Sequence, residues 1–255
     1  MLRIITCFKW VIDQADIKTA PGSRELILDR AAYRISDYDR FAIEEAVNLQ
    51  EKYTGSIAAI TVGPPAARKS LKDVLSRGPE KAYFVNDSSF ENLEPSQTAS
   101  ILATAISSQM EYDLIICGEG SGDLYAQQVG PRLAEVLDIP CITCVSKLTI
   151  DGQQIIAERK LEDGVEVAAL PMPAVVTVLP EINIPRIPGL KDTLAASKKP
   201  VVDISAADLG RNFAPCLQTI SIMASSLDRN GVKFSSDPED ISKFVDAILK
   251  TGMIG

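Results

Sequence analysis

Short apolar, β-branched runs alternate with amphipathic patterns through the first two-thirds of the chain, and this alternation constrains the fold more than any other feature. Ile4 to Phe8, Ile57 to Val62, Ala82 to Val85, Leu114 to Cys117 and Ala174 to Leu179 are nearly continuous apolar stretches. Such runs suit strands covered on both faces, and helix-length segments between them suit βαβ units on a parallel sheet. Ser36-Asp37-Tyr38-Asp39 reads as a helix start, with Ser36 capping orphan amides and Asp39 complementing the positive helix end. Further helices are expected over about 66–76, 95–110 and 124–137. The fold class is therefore α/β: an open, mostly parallel sheet with helices on both faces.

The pattern changes at Val145. Asp151-Gly152 and Asp163-Gly164 separate three strand-like runs, and Asp-Gly is a strong hairpin signal because type I′ turns need positive φ. An antiparallel hairpin meander is expected at about 145–170, inserted in an α/β domain spanning 1–180. After Leu179 come Pro180, Pro185, Pro188 and Gly189, then Leu190 and Lys198-Lys199. From about Ala206 the βα repetition stops, and an amphipathic helix is expected around Asp237 to Leu249. Residues 181–255 thus read as a loop and a C-terminal extension that packs on another surface rather than on its own core.

The absence of histidine removes Ser-His-Asp and Cys-His catalysis, histidine metal sites and the commonest general base near neutral pH. A net charge of −8 argues against nucleic acid as a partner. No apolar run reaches the ~18 residues that span a bilayer, so no direct membrane insertion is expected. Five cysteines without paired spacing point to a reducing compartment and a cytoplasmic location. Cys141 and Cys144 form a CxxC, but with no second pair and no histidine for zinc, and with Ile142 and Val145 beside them, they read as strand cysteines.

The run from Leu114 to Gly130 carries the strongest chemical signal. It passes from a buried strand through Gly118-Glu119-Gly120-Ser121-Gly122-Asp123-Leu124-Tyr125 into Ala126-Gln127-Gln128-Val129-Gly130. Glycines beyond a strand end let the backbone approach a phosphate, and amides at the following helix start supply donors. An ordinary βα turn needing positive φ fits the same glycines equally well. The run is neither a Walker loop nor a dinucleotide fingerprint. Glu119 and Asp123 place negative charge beside any phosphate, which favours a nucleotide that is held over one that reacts. Ala126, Val129, Leu133, Val136 and Leu137 should face the sheet, leaving Gln127 and Gln128 near the turn.

At Gly118 to Gly130 and at many ordered segments elsewhere, the sequence resembles the β subunits of electron-transfer flavoproteins, closest to the Fix-type and YdiQ-like branch. The supporting segments include Ile4 to Lys9, Ile35 to Asp39, Ala42 to Ala46, Asp73 to Pro79, Leu170-Pro171, Pro173 to Val176, Ile182-Asn183, Pro185 to Pro188 and Ala206 to Gly210. The resemblance implies an adenine-nucleotide-binding type of α/β fold and a heterodimer with an α subunit that carries most of an FAD site. It also implies AMP, or a second FAD in flavin-bifurcating members, in this chain. The implied nucleotide contacts are Cys7, Ser36, Asp37, Tyr38, Asp39, Val62 and the run from Gly118 to Val129. Leu190 corresponds to a hydrophobic anchor that docks partner dehydrogenases. The implied role is a non-catalytic carrier between an acyl-CoA dehydrogenase-like partner and a quinone oxidoreductase or ferredoxin-type partner. Lys160 departs from the family, where an acidic residue is common. Two other readings of this fold are a stand-alone ATP- or AMP-binding module and an ATP pyrophosphatase-type enzyme, although Ser121-Gly122-Asp123-Leu124 does not supply the phosphate loop of the latter.

Overall fold

The computed structural model describes residues 1–225 and 231–252. The chain divides into two compact units, one of residues 1–18 and 27–221 and one of residues 19–26 and 222–255. The first unit contains a nine-stranded sheet. Its strands are β1 (Leu2–Cys7), β2 (Gly55–Gly63), β3 (Lys81–Asn86), β4 (Leu114–Gly118), β5 (Cys141–Asp151), β6 (Gln154–Leu161), β7 (Gly164–Pro171), β8 (Ala174–Val178) and β9 (Val201–Ser205). The spatial order is β7-β6-β5-β8-β4-β1-β2-β3-β9. Seven strands from β5 to β9 run parallel, while β5, β6 and β7 form an antiparallel meander.

Alternating side chains explain the two-sided burial. Ile5, Cys7, Ile115 and Cys117 pack on one face with Leu102, Ile106 and Leu133, which come from α3 (Pro95–Gln109) and α4 (Val129–Leu137). Leu2, Ile4, Leu114 and Ile116 pack on the other with Ala42, Ala46 and Leu49 of α1 (Asp37–Tyr53). Farther along that face, Val74 and Leu75 of α2 (Ser70–Ser76) share a cluster with Phe84 and with Ala196 of α5 (Leu190–Ala196). A strand whose two faces both meet helices cannot alternate polar and apolar residues, which is why these runs read as continuous.

The meander forms where the Asp-Gly signals indicate, but its turns sit elsewhere. Asp151 still pairs with Gln154, and Leu161 with Gly164, so the two-residue loops are Gly152-Gln153 and Glu162-Asp163. Outer strand β7 exposes Val165 and Val167, at 61% and 66%, and pairs with β6 alone among the described strands. The expected helix over 124–137 is shorter: α4 starts at Val129, because Tyr125 and Gln127 adopt left-handed backbone with φ of 45° and 56°. Its buried face is Gly130, Leu133 and Ala134, whereas Val136 is half exposed. Strand β9 was not anticipated; it is short, and Asp203 interrupts its apolar pattern.

The second unit contains α6 (Pro238–Lys250), one residue offset from the expected span. Ile241, Phe244, Val245 and Leu249 lie at three- and four-residue spacings and are all about half exposed. The Phe234 ring meets Phe244 edge-on at 5.4 Å. Among the described residues no helix is long and apolar enough to cross a membrane.

Candidate functional site

From β1 the chain builds outward through β2 and β3, then returns to place β4 on the other side of β1. Strands β1 and β4 therefore flank a topological switch point, and their carboxyl ends open a crevice of the kind where α/β sheets take ligands. Cys7 and Gly118 stand at those two ends. Ser36, Tyr38 and Asp39 reach the same place from the start of α1, and Val62 stands one residue before the end of the neighbouring β2. The stretch after β1 and the start of α1, far apart in sequence, thus converge on the turn after β4.

Asp39 ties them together. Its fully buried carboxyl accepts the Lys9 amide at 2.7 Å and the Gly118 amide. Burial pushes its pKa up to about 7 against the opposing pull of those two donors. At Gly118 a Cβ would stand 2.7 Å from Asp39 Oδ1 and 2.8 Å from the Tyr38 carbonyl carbon, so the glycine is required by close approach. Cys7 and Cys117 are buried side by side, and hydrogen bonding with Cys7 pushes the Cys117 thiol up, with burial adding to it.

Ser36 does not cap α1. It is fully buried, and its hydroxyl accepts the Gly122 amide at 3.2 Å, fastening the turn to the helix start. Lys9 Nζ pairs with Asp123 at 2.6 Å, Ser121 donates to Asp123, and Gln14 donates its side-chain amide to the Gly122 carbonyl. The Tyr38 and Tyr125 rings meet at 4.9 Å with their planes tilted by 38°, and the Tyr125 ring occupies the space that a Cβ on Gly120 would need. The backbone amides of Gly120, Ser121 and Asp123 have no hydrogen-bond partner among the described residues. Leu124 and Tyr125 are left 51% and 42% exposed at the mouth of the crevice.

Several residues of the expected set have partners within the chain. Glu119 does not face a phosphate: it is 6% exposed and turns inward, where it accepts the Cys144 amide at 2.9 Å and the Thr177 hydroxyl. Gln127 donates to Glu119 at 3.4 Å, and the Gln128 side-chain oxygen accepts Arg132 Nε at 3.0 Å. Asp37 points away into ion pairs with Arg34 and Arg40. Lys9, Gln14 and Thr177 are participants that sequence reasoning missed, and no local pattern marks them.

Leu190 lies outside this cluster, 77% exposed at the first residue of α5. Ile184 and Ile187 on the preceding loop are 90% and 93% exposed. That loop is pinned by Arg186, whose guanidinium meets Glu44 at 3.0 Å and Glu51 at 2.9 Å, and by Asn183, which donates to Glu45 and to the Phe41 carbonyl. Lys160 sits across from Glu181 at 3.3 Å.

Three open amides, two close-packed glycines and the Tyr38–Tyr125 pair give this turn hydrogen-bond donors suited to an oxyanion and aromatic surface beside them. One comparison bears on this: the family model described as electron transfer flavoprotein domain matches residues 25–209, well over half of the chain.

Proposed function

Because the chain belongs to the electron transfer flavoprotein domain family, a family of flavin-associated electron carriers rather than catalytic enzymes, we propose that it is the β-type subunit of a heterodimeric member. In this reading it holds an adenine nucleotide, AMP or a second FAD, in the crevice between β1 and β4, while the α subunit carries most of the site for the other FAD. The observation that carries it is the set of open amides at Gly120, Ser121 and Asp123, on a turn held in place by Ser36 and Lys9.

The residues present fit such a group. The three amides would take the phosphate oxygens, Tyr125 and Leu124 would cover the ring, and Cys7 and Val62 would line the crevice floor. A bound flavin supplies the electron chemistry. The chain's own residues bind, orient and exclude water: Asp39 keeps the ends of β1 and β4 at one spacing, and Glu119 anchors the turn to β5 and β8. No residue here need act as acid, base or nucleophile. Exposed Leu190 would dock redox partners, an acyl-CoA dehydrogenase-like donor on one side and a quinone- or ferredoxin-linked acceptor on the other.

The test is to co-express the chain with a candidate α subunit, denature the purified complex and separate the released nucleotides. One FAD and one AMP per heterodimer is the simple carrier, and two FAD is the bifurcating arrangement. A complex free of flavin overturns the reading.

A further inference from the structure

Two carboxyls bracket the open amides of the turn after β4. Asp39 holds the Gly118 amide where the turn begins, and Asp123 stands where it ends, its own amide the last of the three open ones. The two are held differently. Asp123 accepts the Lys9 ammonium at 2.6 Å, the Leu124 amide at 2.8 Å and the Ser121 hydroxyl. Against the cost of burial, these donors keep its carboxyl below the usual carboxylate range. Asp39 is fully buried and rests on two backbone amides, those of Lys9 and Gly118. Burial pushes its carboxyl up to about 7 against those amides and the Lys9 ammonium, and the charge on Asp123 pushes the same way as burial. The other ionisable groups nearby are engaged with one another: Glu119 with Cys144 and Thr177, Asp37 with Arg34 and Arg40, Cys7 with Cys117, and Tyr38 with Tyr125.

We infer that a nucleotide phosphate and a proton enter this crevice together: an anion on the amides of Gly120, Ser121 and Asp123 is matched by protonation of the Asp39 carboxyl. The inference rests on the nucleotide reading above and adds regulation to it. At most about 7 Å of backbone separates the Gly118 and Gly120 amides, so the anion and the carboxyl share one short turn. In a site shielded from water, like charges that close repel enough to change an affinity about tenfold. The one ammonium at the turn, Lys9, is already on Asp123. Protonating Asp123 would forfeit that ion pair. Protonating Asp39 removes the repulsion and keeps both amide contacts, because a neutral carboxyl still has lone pairs to accept them. Binding that selects the protonated form weakens as the proton is lost, so affinity falls as pH rises through about 7.

The test takes the full chain in complex with its α subunit, stripped of nucleotide, and measures AMP and FAD binding by equilibrium dialysis at pH 7 and pH 9. A phosphomonoester, with its second pKa near 6, is largely a dianion throughout that range. The nucleotide that binds should do so about tenfold more weakly at pH 9. Asp39→Asn should bind it alike at the two pH values, while Asp123→Asn should keep the pH dependence. Infrared difference spectra of the wild type at pH 8 need no variant: the nucleotide should create a protonated-carboxyl band and remove a carboxylate band. Equal wild-type affinity at both pH values, absence of those bands, or a dependence kept in Asp39→Asn and lost in Asp123→Asn overturns the inference and leaves nucleotide binding standing. A complex that takes up neither AMP nor FAD at any pH overturns the nucleotide reading and this inference with it.

Discussion

Asp39 Oδ2 lies 2.7 Å from the amide nitrogen of Lys9, so the first turn of α1 is fastened to the chain as it leaves β1. The Gly118 amide donates to the same carboxyl, which makes one side chain the shared anchor of the two strands that flank the crevice.

That anchor makes stability depend on pH. Burial raises the folded-state pKa of Asp39 to about 7, well above the ~3.9 of an unfolded chain. The contribution is fully present below the unfolded value and is lost as pH rises through about 7. Urea unfolding at a series of pH values should show the wild type losing up to roughly 4 kcal/mol from this group between pH 4 and pH 8. Asp39→Asn, which stays neutral, should flatten that slope; equal slopes would mean that Asp39 ionises normally in the fold.

Two glycines of the same turn should respond unequally to alanine. A Cβ at Gly118 meets Asp39 Oδ1 at 2.7 Å and the Tyr38 backbone at 2.8 Å, while at Gly122 the nearest atom is Gln14 Nε2 at 3.5 Å. Gly118→Ala should cost about 1–3 kcal/mol and Gly122→Ala less than about 0.5 kcal/mol in the same unfolding assay. Equal costs would show that the close approach at Gly118 is not rigid.

Lys199 gathers loose backbone at the end of α2. Its ammonium donates to the carbonyls of Leu75, Pro79 and Gly78 at 2.7, 2.8 and 3.1 Å. Lys199→Met keeps the stem and removes all three donors, so a loss of about 1–3 kcal/mol is expected. Hydrogen exchange should show the amides near the end of α2 opening first, and unchanged exchange there would refute the clamp.

Leu190 should separate stability from traffic. At 77% exposure its truncation to alanine should move unfolding by less than about 0.5 kcal/mol. If the residue docks redox partners, stopped-flow reduction of the flavin-loaded heterodimer by a partner dehydrogenase should slow at least tenfold. An unchanged rate would leave Leu190 an ordinary surface leucine.

The parallel core was legible in the sequence because strands such as Leu114 to Cys117 and Ala174 to Val178 must be apolar on both faces, leaving a signal in consecutive residues. The start of α1 was legible for a different reason, since Ser36 to Asp39 suits a helix entrance. Its chemistry was not: Ser36 spends its hydroxyl on Gly122, 86 residues away. The inward turn of Glu119 was equally hidden, because its partners Cys144 and Thr177 lie 25 and 58 positions downstream. Helix α4 was overextended because Ala126 continues the helical spacing while its neighbours Tyr125 and Gln127 take left-handed backbone. Periodicity reports burial, not the sign of φ.

The outer edge of β7 has a consequence for how the chain is made. A strand that among the described residues pairs on one side only and displays Val165 and Val167 offers a ready template to another copy of itself. Newly synthesised chains would compete with one another for that edge. Yield in a recombinant host should then fall with crowding of identical chains more steeply than with heat, and an overproduced chain would fail by templated stacking before it failed by melting.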